Sequence, residues 1–233
     1  MAPKISIIIP TYQHGDTIET CLLSLFNQTF KDFEIIVVND GSTDNTLEVL
    51  EKYKDRIKII NQENRGAPSA RNRGFRESVG SFVIFSDADI KAKPEMLQKM
   101  LEALEKHPEA SYSYSSFNWG WKAFNLHEFD AEALKKMNYI TATTLIRREH
   151  FPGWDESFKK FQDWDLWLTM LEQGHVGVWV PEILFDVIDT KATMSRWLPS
   201  FMYKIPWEKI GWAPKAIRKY NAALKIIKEK HHI

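Results

Sequence analysis

The 233 residues are 44% hydrophobic and carry 31 basic and 31 acidic side chains, a balance that excludes both a disordered chain and a globally basic nucleic-acid binder. One cysteine, Cys21, excludes an internal disulfide framework and suits a reducing compartment. The neutral total hides a split: residues 191–233 carry ten Lys/Arg against two acids, so the tail is +8 and the first 190 residues are −8. No apolar run reaches the ~18–20 residues of a membrane span. The short Ile5–Ile9 run does not read as a signal peptide. These features predict a cytoplasmic protein whose basic tail meets an anionic partner.

In chain order, KISIIIP (4–10) reads as a strand buried on both faces. Asp16 is placed to cap a helix running to about Asn27, with Ile18, Leu22 and Leu25 on one face. FEIIVVND (33–40) is a second strand. GSTDNTLEVLEKY is a turn into a helix, with Thr43 or Asp44 near its cap. RIKIINQ (56–62) is a third strand, SARNRGFRESV (69–79) a polar helix and SFVIFSD (81–87) a fourth strand. PEMLQKMLEALEKH (94–107) is an amphipathic helix with Pro94 in its first turn. Beyond residue 110, Tyr112–Trp121 predicts a strand and loop, and 139–151 a strand. WDLWLTML (164–171) predicts a helix and HVGVWVP (175–181) a further strand.

Strand–helix alternation implies right-handed crossovers and a mostly parallel sheet, which binds ligands at the carboxyl ends of its strands. Three polar clusters fall there: Pro10-Thr11-Tyr12, Asn39-Asp40-Gly41-Ser42 and Asp87-Ala88-Asp89. Asp40 is either a turn residue or an acceptor for a base N–H or ribose hydroxyl. Arg71 either lies on a solvated helix face or sits near a nucleotide's phosphates. Asp87 and Asp89, one residue apart, repel unless a partner or a raised pKa intervenes. Their two readings are a solvated turn and a site for a hard cation. There is neither G-x-G-x-x-G after the first strand nor G-x-x-x-x-G-K-[ST], which argues against dinucleotide and P-loop sites. In FQDWDLW (161–167), Asp163 starts the helix beside an aromatic stripe. It is either a plain N-cap or a general base made basic by desolvation. Asp165 shares a face with Thr169, Glu172 and Gln173, and is expected to be solvated or a local cap.

SIIIPTY, VVNDGSTDNT, ENRGAPSARNRG, SDAD and QDWDLWL stand in the order and spacing of the family 2 inverting glycosyltransferases, which have the GT-A fold, and the resemblance covers roughly residues 4–195. It implies a Rossmann-like, mostly parallel α/β sheet flanked by helices. It divides the chain into a glycosyltransferase domain (1–195) and a basic, aromatic-rich helical extension (196–233), the domain having a nucleotide-binding half (1–110) and an acceptor half (111–195). It further implies a nucleotide-sugar donor, UDP-sugar first, and a saccharide or lipid-linked saccharide acceptor. Thr11 and Asp40 would lie near the nucleobase, with Pro10, Tyr12, Arg71 and Ala88 alongside and Asp87 near the ribose. Asp89 would hold Mn2+ or Mg2+, and Asp163 matches the catalytic base.

Two departures stand out: Gln162-Asp163 replaces the family's usual Glu-Asp, and LFDVIDTKATMSR (184–196) has neither Arg nor His where the family's Tyr-Arg-x-His falls, with Thr190 about where the His would be. Alternatives are a non-catalytic nucleotide-sugar-binding protein of the same fold, or a sugar nucleotidyltransferase. The tail, with Ile217, Tyr220, Leu224 and Ile227 on one helical face, suits either an anionic bilayer surface on the inner face of a membrane or packing on the domain. No nucleic-acid-binding module is present.

Overall fold

A computed structural model describes residues 2–188, 205, 207 and 213–233. Nine strands form one sheet in the order β3-β2-β1-β4-β8-β6-β9-β5, with β7 paired to β6. The half expected from strand–helix alternation is parallel: β1 (Ile5–Thr11) pairs β2 (Phe33–Asp40) and β4 (Phe82–Phe85), and β2 pairs β3 (Lys58–Gln62). The rest is mixed. β8 (Leu145–Arg147) runs antiparallel to β4 and β6 (Tyr112–Trp119), while β6 runs parallel to β9 (Gly177–Val187). β5 (Ile90–Ala92) is antiparallel to β9, and β7 (Lys122–Phe124) folds back on β6.

All seven residues of β1 are buried. Each of its isoleucines contributes ~1.5–3 kcal/mol of transfer free energy. Ile5, Ile7 and Ile9 face one core, shared with Ile18, Leu22 and Leu25 of α1 (Ile18–Phe26) and with the apolar stripe of α4 (Met96–Lys106). Val83, Phe85 and Tyr112 face a second, with Trp164, Trp167 and Leu168 of α6 (Gln162–Glu172). α2 (Thr46–Glu51) and α5 (Ala131–Lys136) are short. α3 (Ala67–Arg76) lies against β1 and β2 so closely that a Cβ on Gly74 would sit 2.4 Å from Ile8 Cγ2.

Several local expectations are revised. Asp16 does not cap α1; the cap position is Thr17, without a side-chain bond to the helix. Pro94 lies outside α4, which begins after Glu95. Only 145–147 of the expected 139–151 strand pairs, and the turn before it is closed by Thr144 Oγ1 donating to Thr141 O (2.8 Å). β9 runs past Pro181 because Ser115 faces Val180 while Ser116 faces Ile183; Pro181 and Glu182 bulge out of the ladder and need no paired N–H.

The C-terminal helix (Lys215–His231) starts after Pro214 and packs on the domain: Ile217 and Ile227 are buried, and Phe161 and Tyr220 meet ring to ring at 5.2 Å. Among the described residues no helix is long and apolar enough to cross a membrane. Trp197 and Trp212 lie outside the described residues.

Gly74→Ala is expected to destabilise the fold by ~1–3 kcal/mol, because Ile8 and Val38 on the rigid sheet cannot yield to the new methyl group. Urea unfolding measures this; an unchanged midpoint would show that α3 can lift from the sheet without penalty.

Candidate active site

The parallel register brings the carboxyl ends of β1, β2 and β4 side by side, with Thr11 opposite Asn39 and Ile8 opposite Phe85. The loop after β1 is pinned by the polar residues after β2. Gln13 Oε1 accepts from the backbone N–H groups of Thr43 and Asp44 (3.0 and 3.1 Å). In return Gln13 N donates to Ser42 Oγ (3.1 Å), His14 N to Thr46 Oγ1 (3.0 Å) and Gly15 N to Asp44 Oδ2 (3.0 Å). This interlock explains why NDGSTDNT is so rich in small acceptors, and Gly41 supplies the left-handed turn (φ +76°) that starts it. Asp44 also accepts from Thr46 N in the first turn of α2 (3.1 Å), in line with its expected place near the cap.

Asp40 is buried, and its carboxylate accepts three protein hydrogen bonds: Gln62 Nε2 (2.7 Å) and Arg65 N (2.9 Å) to Oδ1, and Gly66 N (2.8 Å) to Oδ2. It therefore folds the 65–66 loop that launches α3. Thr11 is buried with Oγ1 unpartnered, next to half-exposed Tyr12.

Arg71, on α3, is buried with its guanidinium 4.5 Å over the Trp154 ring. Its Nη2 donates to Asp87 Oδ1 at 2.7 Å, its Nη1 lies 3.4 Å from Gln162 Oε1, and its Nε has no partner. Asp87 is 45% exposed at the side chain, so water screens the pair and its net contribution to stability is ~0–1 kcal/mol; it fixes geometry more than it stabilises. Ala88 is buried in the turn that follows.

Asp89, 8% exposed, has no cationic partner among the described residues; burial, then the neighbouring Asp87 charge, push its pKa up to about 7. Asp163, in the first turn of α6, is half-buried. Burial raises it, Arg71 opposes, Asp87 raises it again and the Ala142 backbone N–H opposes; the net value is about 6. The helix that carries it is anchored by tryptophans: Trp164 Nε1 donates to Leu134 O (2.7 Å) and Trp167 Nε1 to Ile140 O (2.9 Å). Arg71, Asp87 and Asp163 thus share one electrostatic neighbourhood.

The half-exposed carboxylate of Asp87 and the buried one of Asp89 are hard oxygen donors of the kind that magnesium or manganese takes. Among the described residues no group of three or more His, Cys, Asp or Glu is placed to hold a metal ion by itself. Thr190 lies outside the described residues.

Residues 6–161 match the family model described as Glycosyl transferase family 2. The chain belongs to that family. The matched span covers every nominated rim residue except Asp163, two positions past its end. TuaG of Bacillus subtilis, provisionally named a teichuronic acid biosynthesis glycosyltransferase, is 27% identical over 248 residues, covering 93% of this chain and 97% of that one. The chain spans less than a third of the length of other curated relatives that it matches at 40% identity or more. S. aureus TarS, solved in complex with UDP-GlcNAc, has the same fold (TM-score 0.69, 20% identity, 86% of this chain and 64% of that one). So does the mannosyltransferase PcManGT of Pyrobaculum calidifontis, solved with GDP-Man and Mn2+ (TM-score 0.66, 18% identity, 82% and 59%).

Sequence reasoning passed over His14, which lies close enough to Asp87 and Asp44 to feel their charge while burial holds its pKa down. The signal was its position in the loop after β1. Trp154, the platform under Arg71, has no part in the sequence reading either. Asp165 is the main correction: it is buried, not solvated, because the C-terminal helix covers it.

Asp89→Asn is expected to stabilise the ligand-free protein by ~1–3 kcal/mol at pH 8. The sign follows from linkage. A carboxyl raised from 3.8 to about 7 in the fold contributes no penalty below its unfolded pKa and its full penalty above the folded one. The gain should therefore vanish at pH 4, and thermal melts at both pH values measure it. A destabilised pH 8 variant would mean that Asp89 is already satisfied.

Proposed function

We propose that the protein transfers a hexosyl unit from a UDP-sugar to an acceptor hydroxyl with inversion, in cell-surface polysaccharide or glycolipid synthesis. The observation that carries this reading is Asp163: a half-buried carboxyl raised to about 6, beside the Arg71–Asp87 pair at the carboxyl edge of the sheet. Such a group is ionised near neutrality yet basic enough to take a proton from an alcohol. UDP-GlcNAc in TarS and GDP-Man with Mn2+ in PcManGT support a nucleoside-diphosphate donor.

On this reading residues 1–110 hold the donor and 111–195 face the acceptor. The nucleotide lies along Pro10, Thr11, Tyr12, Asp40 and Ala88, and the unpartnered Thr11 Oγ1 and Arg71 Nε each await an atom that the donor supplies. A buried polar group left unpaired costs ~1–3 kcal/mol, which a bound ligand recovers. Asp87 orients the ribose. Asp89 would hold Mn2+ or Mg2+, which when bound neutralises charge on the diphosphate. Asp163 accepts the acceptor proton as its oxygen bonds to the anomeric carbon, and the bond to the nucleoside diphosphate breaks on the opposite face. Inversion follows from this single displacement. Arg71 keeps Asp163 from protonating fully at neutral pH.

The acceptor is a saccharide or lipid-linked saccharide. For a lipid-linked one, the outward face of the C-terminal helix, with Lys215, Arg218, Lys219 and Lys225 exposed around Ile226, is suited to an anionic bilayer. Cosedimentation with phosphatidylglycerol vesicles, and not with phosphatidylcholine vesicles, is the expected outcome; equal pelleting with neither would remove the membrane from this reading.

Asp163→Asn is expected to lower kcat ~10²–10⁴-fold with UDP affinity nearly unchanged. In the wild type, log kcat should rise with unit slope up to about pH 6 and then level, because the protonated base cannot act. Turnover that survives Asp163→Asn, or pyrophosphate as the product, would reject the assignment.

A further inference from the structure

The last turn of the C-terminal helix reaches the helix that carries Asp163. The His231 side chain is 1% exposed; its Nε2 lies 2.9 Å from Asp165 Oδ1 and its Nδ1 2.8 Å from Glu172 Oε1. Both acceptors belong to α6, near its first and last turns. The adjacent Lys230 donates from Nζ to the same Asp165 Oδ1 (2.6 Å) and to Asp155 Oδ2 (2.9 Å).

Asp155 opens a second line of contact. Its neighbour Trp154 is the ring beneath the Arg71 guanidinium. The Trp154 backbone is tied to Asn72 on α3 in both directions, N to Oδ1 at 2.9 Å and Nδ2 to O at 2.8 Å. Two consecutive residues therefore grip both the helix bearing Asp163 and the segment that supports Arg71.

The chemistry is demanding. An ionised carboxylate only accepts hydrogen bonds, so an imidazole held between two of them satisfies both when each ring nitrogen carries hydrogen. Asp165, 5% exposed at its side chain, is a buried carboxylate whose charge is met by these two donors, and removing either leaves it under-compensated. The surrounding charges are Glu132, Lys135 and Lys136 of α5 with Lys228 and His232 on the His231 side, and Arg76 of α3 on the Lys230 side, where a cleft of about 450 Å³ opens. Most are cations, so the charge of Asp165 and Glu172 is matched locally, and the interaction is directional at Lys230 and His231.

We propose that Lys230 and His231 are positioning residues for the transfer reaction. They hold α6 and the Trp154–Asp155 segment in mutual register, so that Asp163 and Arg71 face one rim. This rests on the reading of Asp163 as the base. Neither residue touches reacting atoms. Both act through Asp165, Glu172 and Asp155.

The test follows the side-chain carboxyl of Asp163 by ¹³C NMR titration in the full chain, alongside turnover. In His231→Gln, the Asp163 midpoint is expected to fall from about 6 toward the ordinary carboxylate range as α6 loosens and water reaches it. kcat should drop about tenfold or more while KM for the donor changes less than about threefold. Adding Asp165→Asn to His231→Gln, which replaces the ionic contact by an amide pair, should recover part of both. Lys230→Met, at a side chain that is 36% exposed, carries the same test should His231→Gln fail to fold. Variants that lose thermal stability but keep the wild-type Asp163 midpoint would overturn the proposal and leave the helix a structural prop. The NMR midpoint is read without turnover, so failure of the base assignment, seen in Asp163→Asn, stays distinguishable from failure of the positioning role.

Discussion

A single buried guanidinium organises the rim. Arg71 is supplied by α3, stacked on Trp154 from the 152–158 segment, paired to Asp87 after β4 and directed at Gln162 at the start of α6. Three separate stretches of chain converge on a cation supplied by a fourth. Its charge holds down the pKa of Asp163 against burial and against Asp87. Gln162 matters here: a second carboxylate in its place would compete with Asp87 for the same guanidinium and push Asp163 further up. A neutral amide leaves Asp87 as the charged partner.

The same region is where the fold gives up stability. Asp89 and Asp163 are carboxyls raised well above their ordinary range, and Thr11 Oγ1 and Arg71 Nε are buried without partners. These are the strains expected where a ligand and its charge are to be accommodated. They are tolerable because β1 is buried along its whole length and the loops after β1 and β2 are interlocked by Gln13, Ser42, Asp44 and Thr46. The Asp40 carboxylate belongs to this scaffold as much as to a ligand, since three of its acceptor positions already serve protein donors.

Much of this was legible in the residues. The β-branched runs of β1, β2 and β4 and the stripes of α1, α4 and α6 have periods that single out one state each, and the alternation of strand and helix implied the parallel half. What was hidden had no period to read. β5 and β7 have three residues each, too few for alternation to register. The 139–151 segment is rich in β-branched residues, yet its threonines bond locally and it pairs over three residues only. Pro181 looks like a strand end and is instead absorbed by a bulge. At the site, a local wheel puts Asp165 on a polar face, and nothing within α6 announces a histidine 66 positions away that buries it. Long-range charge pairing of that kind is a property of the packed molecule, not of any window of sequence.

The central claim is that the strand ends carrying Thr11, Asp87 and Asp89 and the start of α6 form one nucleotide–cation pocket. Paramagnetic broadening by Mn2+ in the presence of UDP, read from amide NMR signals, tests it most directly. The expected result is selective loss of the signals of residues 11–14, 87–90 and 162–164, with the outward face of the C-terminal helix unaffected. Broadening centred instead on Asn72, Asp155 and Lys230, or none that depends on UDP, would contradict it.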